Sequence, residues 1–283
     1  MSHEDLPPDQ VKGSLINLAP FMVLIHLVSV LVIPFTETRF TTSFYRDFPL
    51  FYYFVYVYWG VMVKCYSSCC SNPGFVTNEQ AIPPEEITKD SCHFFCQECQ
   101  MYIPYRASHC RSCKRCILRR DHHCPWTGIC IGRDNHLAFL IWTFVESILM
   151  FIVSIDLISS VFVYCSPLEW ISRFKANIFM LPFTLFSFTM VTLLFITHFL
   201  MMMNNTTTWE SKRRETITYL RDIPLGINPF DKGTKENIKE FLFMKYYQTT
   251  WKTVQINLSL ADFENEQKIL SRYLMEKFIK LAT

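Results

Sequence analysis

Ten residues able to hold a metal or take part in nucleophilic chemistry crowd one stretch of this chain. Positions 96 to 130 contain Cys96, Cys99, His109, Cys110, Cys113, Cys116, His122, His123, Cys124 and Cys130. The spacing reads C-x2-C, nine residues, H-C-x2-C-x2-C, four residues, D-H-H-C, five residues and a last cysteine. Structural zinc takes four Cys or His ligands in a tetrahedron, commonly from C-x2-C pairs. Two such ions use eight of the ten side chains and leave two for other work. In extended backbone alternate side chains share a face, so His122 and Cys124 face one way and His123 the other. His123 can then join a metal while Asp121 orients the His122 ring as a base for the Cys124 thiol. That is the orienter, base and nucleophile of covalent catalysis. A nearby dication and an imidazole both favour the thiolate. The alternative is that Cys124 is one more metal ligand.

The elements that must position these residues are apolar. Half of the 283 residues are hydrophobic, and they gather near 15–34, 48–63, 137–164 and 178–203. Each block approaches the ~20 residues needed to cross a bilayer core, so the chain reads as a mainly α, polytopic membrane protein with four transmembrane helices. A net charge of +2 argues for no nucleic-acid partner. The acidic start (Glu4, Asp5, Asp9) lacks the basic region of a signal peptide. Nine Lys and Arg lie between Lys64 and Arg133 and thirteen follow the fourth block, against two in each of the other two loops. The positive-inside rule puts both termini and the cysteine-rich segment in the cytosol. Cytosolic thiols stay reduced, which favours metal or catalysis over disulfides.

Several local readings follow. Cys65, Cys69 and Cys70 sit at the membrane edge after Lys64, either open to S-acylation or simply small and apolar. Asn72-Pro73-Gly74 ends the second helix, and residues 76–91 form a linker. His26 should be buried and hydrogen-bonded. Glu146 and Asp156 should face the helix bundle or lie near an end. Cys165 to Lys175 reads as a short luminal loop. The sequons at Asn204, Asn205 and Asn257 stay unglycosylated on a cytosolic tail. Asp262 could cap an amphipathic helix running through Leu281. Four units result: 1–75 with the first two spans, the cytosolic zinc-binding segment 76–136, the other two spans 137–203, and the cytosolic tail 204–283.

The pattern C-x2-C-x9-H-C-x2-C-x2-C-x4-D-H-H-C-x5-C-x4-N-x3-F, which runs from Cys96 to Phe139, resembles the signature of the DHHC protein S-acyltransferases, or palmitoyltransferases. Thr207-Thr208-Trp209-Glu210 resembles the family's T-T-x-E motif, and Asp231-Lys232-Gly233 with Asn237 its C-terminal element. Asn72-Pro73-Gly74 stands where the family usually has D-P-G. The resemblance implies one zinc on Cys96, Cys99, His109 and Cys116, and a second on Cys110, Cys113, His123 and Cys130, both structural. It implies Cys124 as acyl carrier, His122 as base and Asp121 as its partner. Thr207 and Thr208 would lie near Asp121, and Asn237 would help seat the tail against the membrane domain. The implied reaction moves a palmitoyl group from acyl-CoA through a Cys124 acyl-enzyme to cysteines of substrate proteins at the cytosolic face of an endoplasmic reticulum or Golgi membrane. Arg119, Arg120, Lys114 and Arg115 are within reach in sequence for the phosphates of CoA, or else form a basic patch toward headgroups. Trp126, Phe139 and Trp142 could line the acyl slot, or serve as interfacial aromatics. Two other classes are open: a silent zinc-finger scaffold, which the intact D-H-H-C and T-T-x-E argue against, and a transporter using Glu146, Asp156, His26 and His198. Four spans without an inverted repeat disfavour the latter.

Overall fold

The computed structural model describes residues 18–21, 23–24, 49–78, 81, 94–162, 165–221, 223 and 226–244. The linker over 82–91, His26, most of the first apolar block and the helix expected after Asp262 lie outside the described residues. Three long helices and a run of short hairpins make up the rest. Helix α1 is Pro49–Cys69, α2 is His136–Val161 and α3 is Pro167–Met203. Between α1 and α2 lie six three-residue strands: β1 Phe94–Cys96, β2 Met101–Ile103, β3 Ser108–Cys110, β4 Arg115–Ile117, β5 His122–Cys124 and β6 Ile129–Ile131. They pair in sequence as three antiparallel hairpins. After α3 come α4 Thr208–Arg213, a 3-10 turn Arg214–Thr216, α5 Thr218–Arg221 and α6 Thr234–Leu242.

Among the described residues, His136–Val161 and Asn177–Met203 are long and apolar enough to cross a membrane. Their outer faces carry Phe144, Phe151, Ile155, Phe179, Phe186 and Leu193, each at least 46 % exposed. Such a surface has no place in water but suits lipid. The polar side chains turn inward instead. Glu146 is buried, Ser147 pairs with Thr192 at 2.8 Å and Asn177 donates to Ser160 at 2.7 Å.

The expected luminal loop over Cys165–Lys175 is corrected by the structure: from Pro167 onward it is helix. Ser166 caps α3 by accepting from Glu169 N–H, Pro167 occupies the first turn, where a missing N–H costs nothing, and Glu169 meets the positive helix end. The apolar count hid this start because the first turns of α3 are polar. At 37 residues, α3 is about 55 Å long, well beyond a bilayer core. Helix α1 also extends past the expected 63, taking in Cys65 and ending at Cys69. Asn72 then makes the turn, its Oδ1 accepting from Gly74 N–H and Phe75 N–H at 3.0 Å each. Gly74 takes φ +94°, a region open to glycine.

Candidate active and metal sites

The three hairpins are one device used three times. Cys96, Cys110 and Cys124 each end a rising strand and lie fourteen residues apart. Three residues after each come Cys99, Cys113 and Thr127, and one further on Gln100, Lys114 and Gly128 take φ of 53°, 53° and 69°. His109 and His123 repeat at the same interval, as do Cys116 and Cys130. Register places His109 opposite Cys116, and His123 opposite Cys130. The tip of each hairpin therefore meets the flank of the next. Cys96 and Cys99 gather with His109 and Cys116, and Cys110 and Cys113 with His123 and Cys130. The third tip, with Cys124 and Thr127, meets no further hairpin among the described residues. The fourteen-residue repeat is visible in the sequence itself.

Both groups of four fit zinc. His109 Nδ1 lies 3.6, 3.3 and 3.8 Å from the sulfurs of Cys96, Cys99 and Cys116. His123 Nδ1 lies 3.8, 3.4 and 3.7 Å from Cys110, Cys113 and Cys130. A tetrahedron with zinc–sulfur bonds of ~2.3 Å and zinc–nitrogen bonds of ~2.0 Å has edges of about 3.5 Å between N and S. Glu98 holds the far nitrogen of His109 at 2.5 Å, a carboxylate–histidine arrangement that aims Nδ1 at a metal. The donor chemistry agrees. Burial and the neighbouring thiols push the Cys116 thiol up, and Cys110 and Cys113 push up Cys130. Thiols so crowded ionise together only around a cation. All eight expected ligands fall into these two groups.

His122 and Cys124 lie outside both, two residues apart on β5 and so on one face of that strand. His122 Nδ1 donates to Asp121 Oδ2 at 2.6 Å, which leaves Nε2 for the thiol. Asp121 is 1 % exposed and fully engaged: Thr208 N–H donates to Oδ1 at 2.7 Å and the Thr208 hydroxyl to Oδ2 at 2.9 Å. Burial opposes ionisation of Asp121, but the His122 hydrogen bond and the surrounding histidines hold it far below the usual carboxylate range. Burial likewise opposes the His122 imidazolium, yet the Asp121 and Cys124 hydrogen bonds raise it to about 9. The Cys124 thiol is lowered against its burial by His122 and by hydrogen bonds from Thr127. In the second hairpin the matching donor, Cys113 N–H, reaches Cys110 Sγ at 3.5 Å. The turn that in the second hairpin serves a thiol of a zinc-fit group thus serves a thiol outside both groups here.

The tail supplies the clamp. Thr207-x-x-Glu210 is a capping box: the Thr207 hydroxyl accepts from Glu210 N–H and Glu210 accepts from Thr207 N–H, starting α4. Thr207 therefore caps, and of the two threonines Thr208 alone bonds Asp121. Glu210 also pairs with Arg106 through two bonds of 2.6 and 2.7 Å, both side chains being about 5 % exposed or less. Arg106 and Arg119 donate to Asn205 Oδ1 at 2.8 Å each. Asn237 donates to Met203 O at 2.7 Å, at the end of α3, and Lys232 N–H donates to Asn237.

The residues expected around CoA and the acyl chain divide. Arg119 is 5 % exposed and spent on Asn205 and Met244, so it is not free for phosphate. Its burial at the joint between hairpins and tail is a tertiary fact, invisible in a run of basic residues. Arg120 donates to His109 O and lies 4.6 Å over Trp209. Lys114 and Arg115 are exposed on the second hairpin. Trp126 is 39 % exposed, and its carbonyl accepts from Tyr66 OH at 2.8 Å. Phe139 is fully buried edge-to-face against His122 and Trp142, and Trp142 against Tyr66. The sequence marks His198 only as a transport candidate and assigns His136 no role. His136 Nε2 is 3.0 Å from His198 Nδ1, which stands 3.9 Å from Asp121 Oδ2. With Asp121 already saturated by hydrogen bonds, these histidines back the carboxylate rather than form a third metal group.

A buried Asp–His–Cys set at the tip of the third hairpin, next to two groups of four residues that fit zinc and beside membrane-length helices, defines a class of thiol enzyme. Residues 89–215 match the family model for DHHC palmitoyltransferases. A protein of Dictyostelium discoideum named as ZDHHC-type palmitoyltransferase 7 is 39 % identical over 56 % of this chain and 36 % of its own length. The palmitoyltransferase ZDHHC12 of Homo sapiens is 31 % identical over 65 % of this chain and 70 % of its own. A relative from Arabidopsis thaliana named as protein S-acyltransferase 3 is 35 % identical, with 35 % of its length covered. The chain thus spans about a third of the Dictyostelium and Arabidopsis relatives. It belongs to the DHHC palmitoyltransferase family.

Proposed function

We propose that this protein is a protein S-acyltransferase that moves a palmitoyl group from acyl-CoA to cysteines of proteins at the cytosolic face of an endoplasmic reticulum or Golgi membrane. Four spans place both termini in the cytosol, as the basic-residue count argues. The observation that carries the reading is the Asp121–His122–Cys124 set, which no metal group consumes. The Cys124 thiolate attacks the thioester carbonyl, its bond to the CoA sulfur breaks, and the CoA thiolate takes its proton from the His122 imidazolium. In the second step His122 removes the proton of a substrate thiol, that sulfur takes the acyl carbon, and Cys124 leaves as thiolate. Thioester exchanges for thioester at nearly equal energy, so the site must supply position and a ready thiolate. Asp121, fixed by Thr208, keeps Nε2 aimed at sulfur. An acyl tail prefers apolar surroundings by ~0.8 kcal/mol per CH2, so it lies among the helices by Trp142 while the carbonyl sits at Cys124.

Two zinc ions would be held by the two groups of four. They would supply closed, structural staples that set the third hairpin's angle, with no open coordination position. Partners are acyl-CoA, the bilayer and substrate proteins with a cysteine near the membrane. Incubation of the purified protein with labelled palmitoyl-CoA should give a hydroxylamine-labile adduct on the peptide containing Cys124. No adduct in the wild type would refute the assignment.

A further inference from the structure

Three cysteines at the end of α1 take no part in this transfer, yet the fold brings them to Cys124. Cys69 and Cys124 are buried in one apolar cluster with Met62, Tyr66, Phe139 and Trp142, and Cys65 and Cys70 pack against it. All are free thiols. Asn135 Nδ2 ties Cys69 O to Cys130 O at 2.8 and 3.0 Å. Tyr66 OH ties the helix end to Trp126 O, two residues beyond Cys124. The three thiols differ in freedom. Cys69 has no exposure and donates to Cys65 O at 3.1 Å. Cys65 lies within the helix. Cys70 follows the last helical residue, is half-buried and packs against the cluster that holds Cys124.

We propose that Cys70 is an intramolecular acyl acceptor, taking the acyl group from Cys124 of the same chain. This rests on the Cys124 acyl-enzyme of the proposed function. The Cys70 sulfur attacks the thioester carbonyl, the bond from Cys124 sulfur to the acyl carbon breaks, and the Cys70 proton passes by way of His122 to the Cys124 sulfur. One thioester replaces another and nothing is oxidised or reduced. Cys70 packs on the same apolar cluster as Cys124, so the tail stays in apolar surroundings while only the head of the acyl group moves. The transfer frees Cys124 for a second acyl-CoA, so one chain carries two acyl groups.

The test uses the full-length protein in micelles with palmitoyl-CoA and site mapping of hydroxylamine-labile adducts by mass spectrometry. Wild type should carry label at Cys124 and Cys70, Cys70→Ser at Cys124 alone, and Cys124→Ser at neither. Cys70→Ala should match Cys70→Ser, which guards against an effect of the serine hydroxyl, and metal content reports folding. Mixing Cys70→Ser with Cys124→Ser should leave Cys70 of the latter unlabelled. Cys124 acylated with Cys70 always bare would overturn the acceptor role and leave the proposed function standing. Label on Cys70 in Cys124→Ser, alone or in the mixture, would mean direct or intermolecular acylation and also overturn it. No adduct anywhere would instead remove the acyl-enzyme itself.

Discussion

Replacing Thr208 with valine probes how the base is held. Asp121 accepts three hydrogen bonds: His122 Nδ1 at 2.6 Å, Thr208 N–H at 2.7 Å and the Thr208 hydroxyl at 2.9 Å. Valine keeps the shape and the backbone donor and removes the hydroxyl. A hydrogen bond to a charged group contributes about 1.5–3 kcal/mol, and here the acceptor is a carboxylate 1 % exposed, so little water can substitute. Expressed fully at the transition state, the loss slows acyl-enzyme formation roughly 10- to 100-fold, at about 1.4 kcal/mol per factor of ten. The assay is a single turnover with limiting palmitoyl-CoA, following CoA release. Thr208→Ser, which restores the hydroxyl, should recover most of the rate, and zinc content should stay constant because Thr208 touches neither metal group. A valine variant as fast as wild type, or a serine variant as slow as valine, would refute the clamp.

Other expectations follow from the same geometry. Since His122 is raised to about 9 while Cys124 is lowered, the imidazolium–thiolate pair should be present at neutral pH, and the pH profile of Cys124 alkylation should show the imidazolium lost as pH rises through about 9. Asp121→Asn removes the charge that sustains it, so alkylation of Cys124 by iodoacetamide near neutral pH should slow by about tenfold. Arg106→Met leaves Glu210 buried without its partner and should cost about 3–5 kcal/mol, seen as a lower thermal midpoint and earlier proteolysis of the tail. At Gly132 an added Cβ would lie 2.5 Å from Ile117 Cγ2 and 2.6 Å from Pro73 O. Gly132→Ala should therefore destabilise the joint between β6 and the turn after α1 by about 1–3 kcal/mol, with both midpoint and acylation falling. Thr127→Cys restores the repeat's second cysteine beside Cys124 and should make acylation sensitive to added zinc, which leaves wild type unaffected at the same concentration.

Much of the site was legible because its chemistry is local. Strand alternation alone separated His123 from His122 and Cys124, and the hairpin register of β5 with β6 arranges them that way. The T-T-x-E resemblance drew attention to Thr207 and Thr208, but only the fold distinguishes the cap from the clamp. Arg119 illustrates what composition hides: beside Arg120 it reads as a basic surface, whereas Asn205, 86 residues away, buries it. The start of α3 was missed for the opposite reason. Its cap, Pro167 and Glu169 were present in sequence but outweighed by the polarity of the first turns. His198 and His136 meet only when α2 and α3 pack, and no spacing announces that.

The neighbours His123 and Cys124 give the most direct test, because the account assigns adjacent residues of one strand to different work. Metal content per chain and the palmitoyl adduct should be measured together on Cys124→Ser and His123→Ala. The account predicts that Cys124→Ser keeps both zinc ions and forms no adduct, while His123→Ala loses zinc. Loss of zinc from Cys124→Ser, with an adduct still formed elsewhere in the hairpins, would contradict it and make Cys124 a ligand.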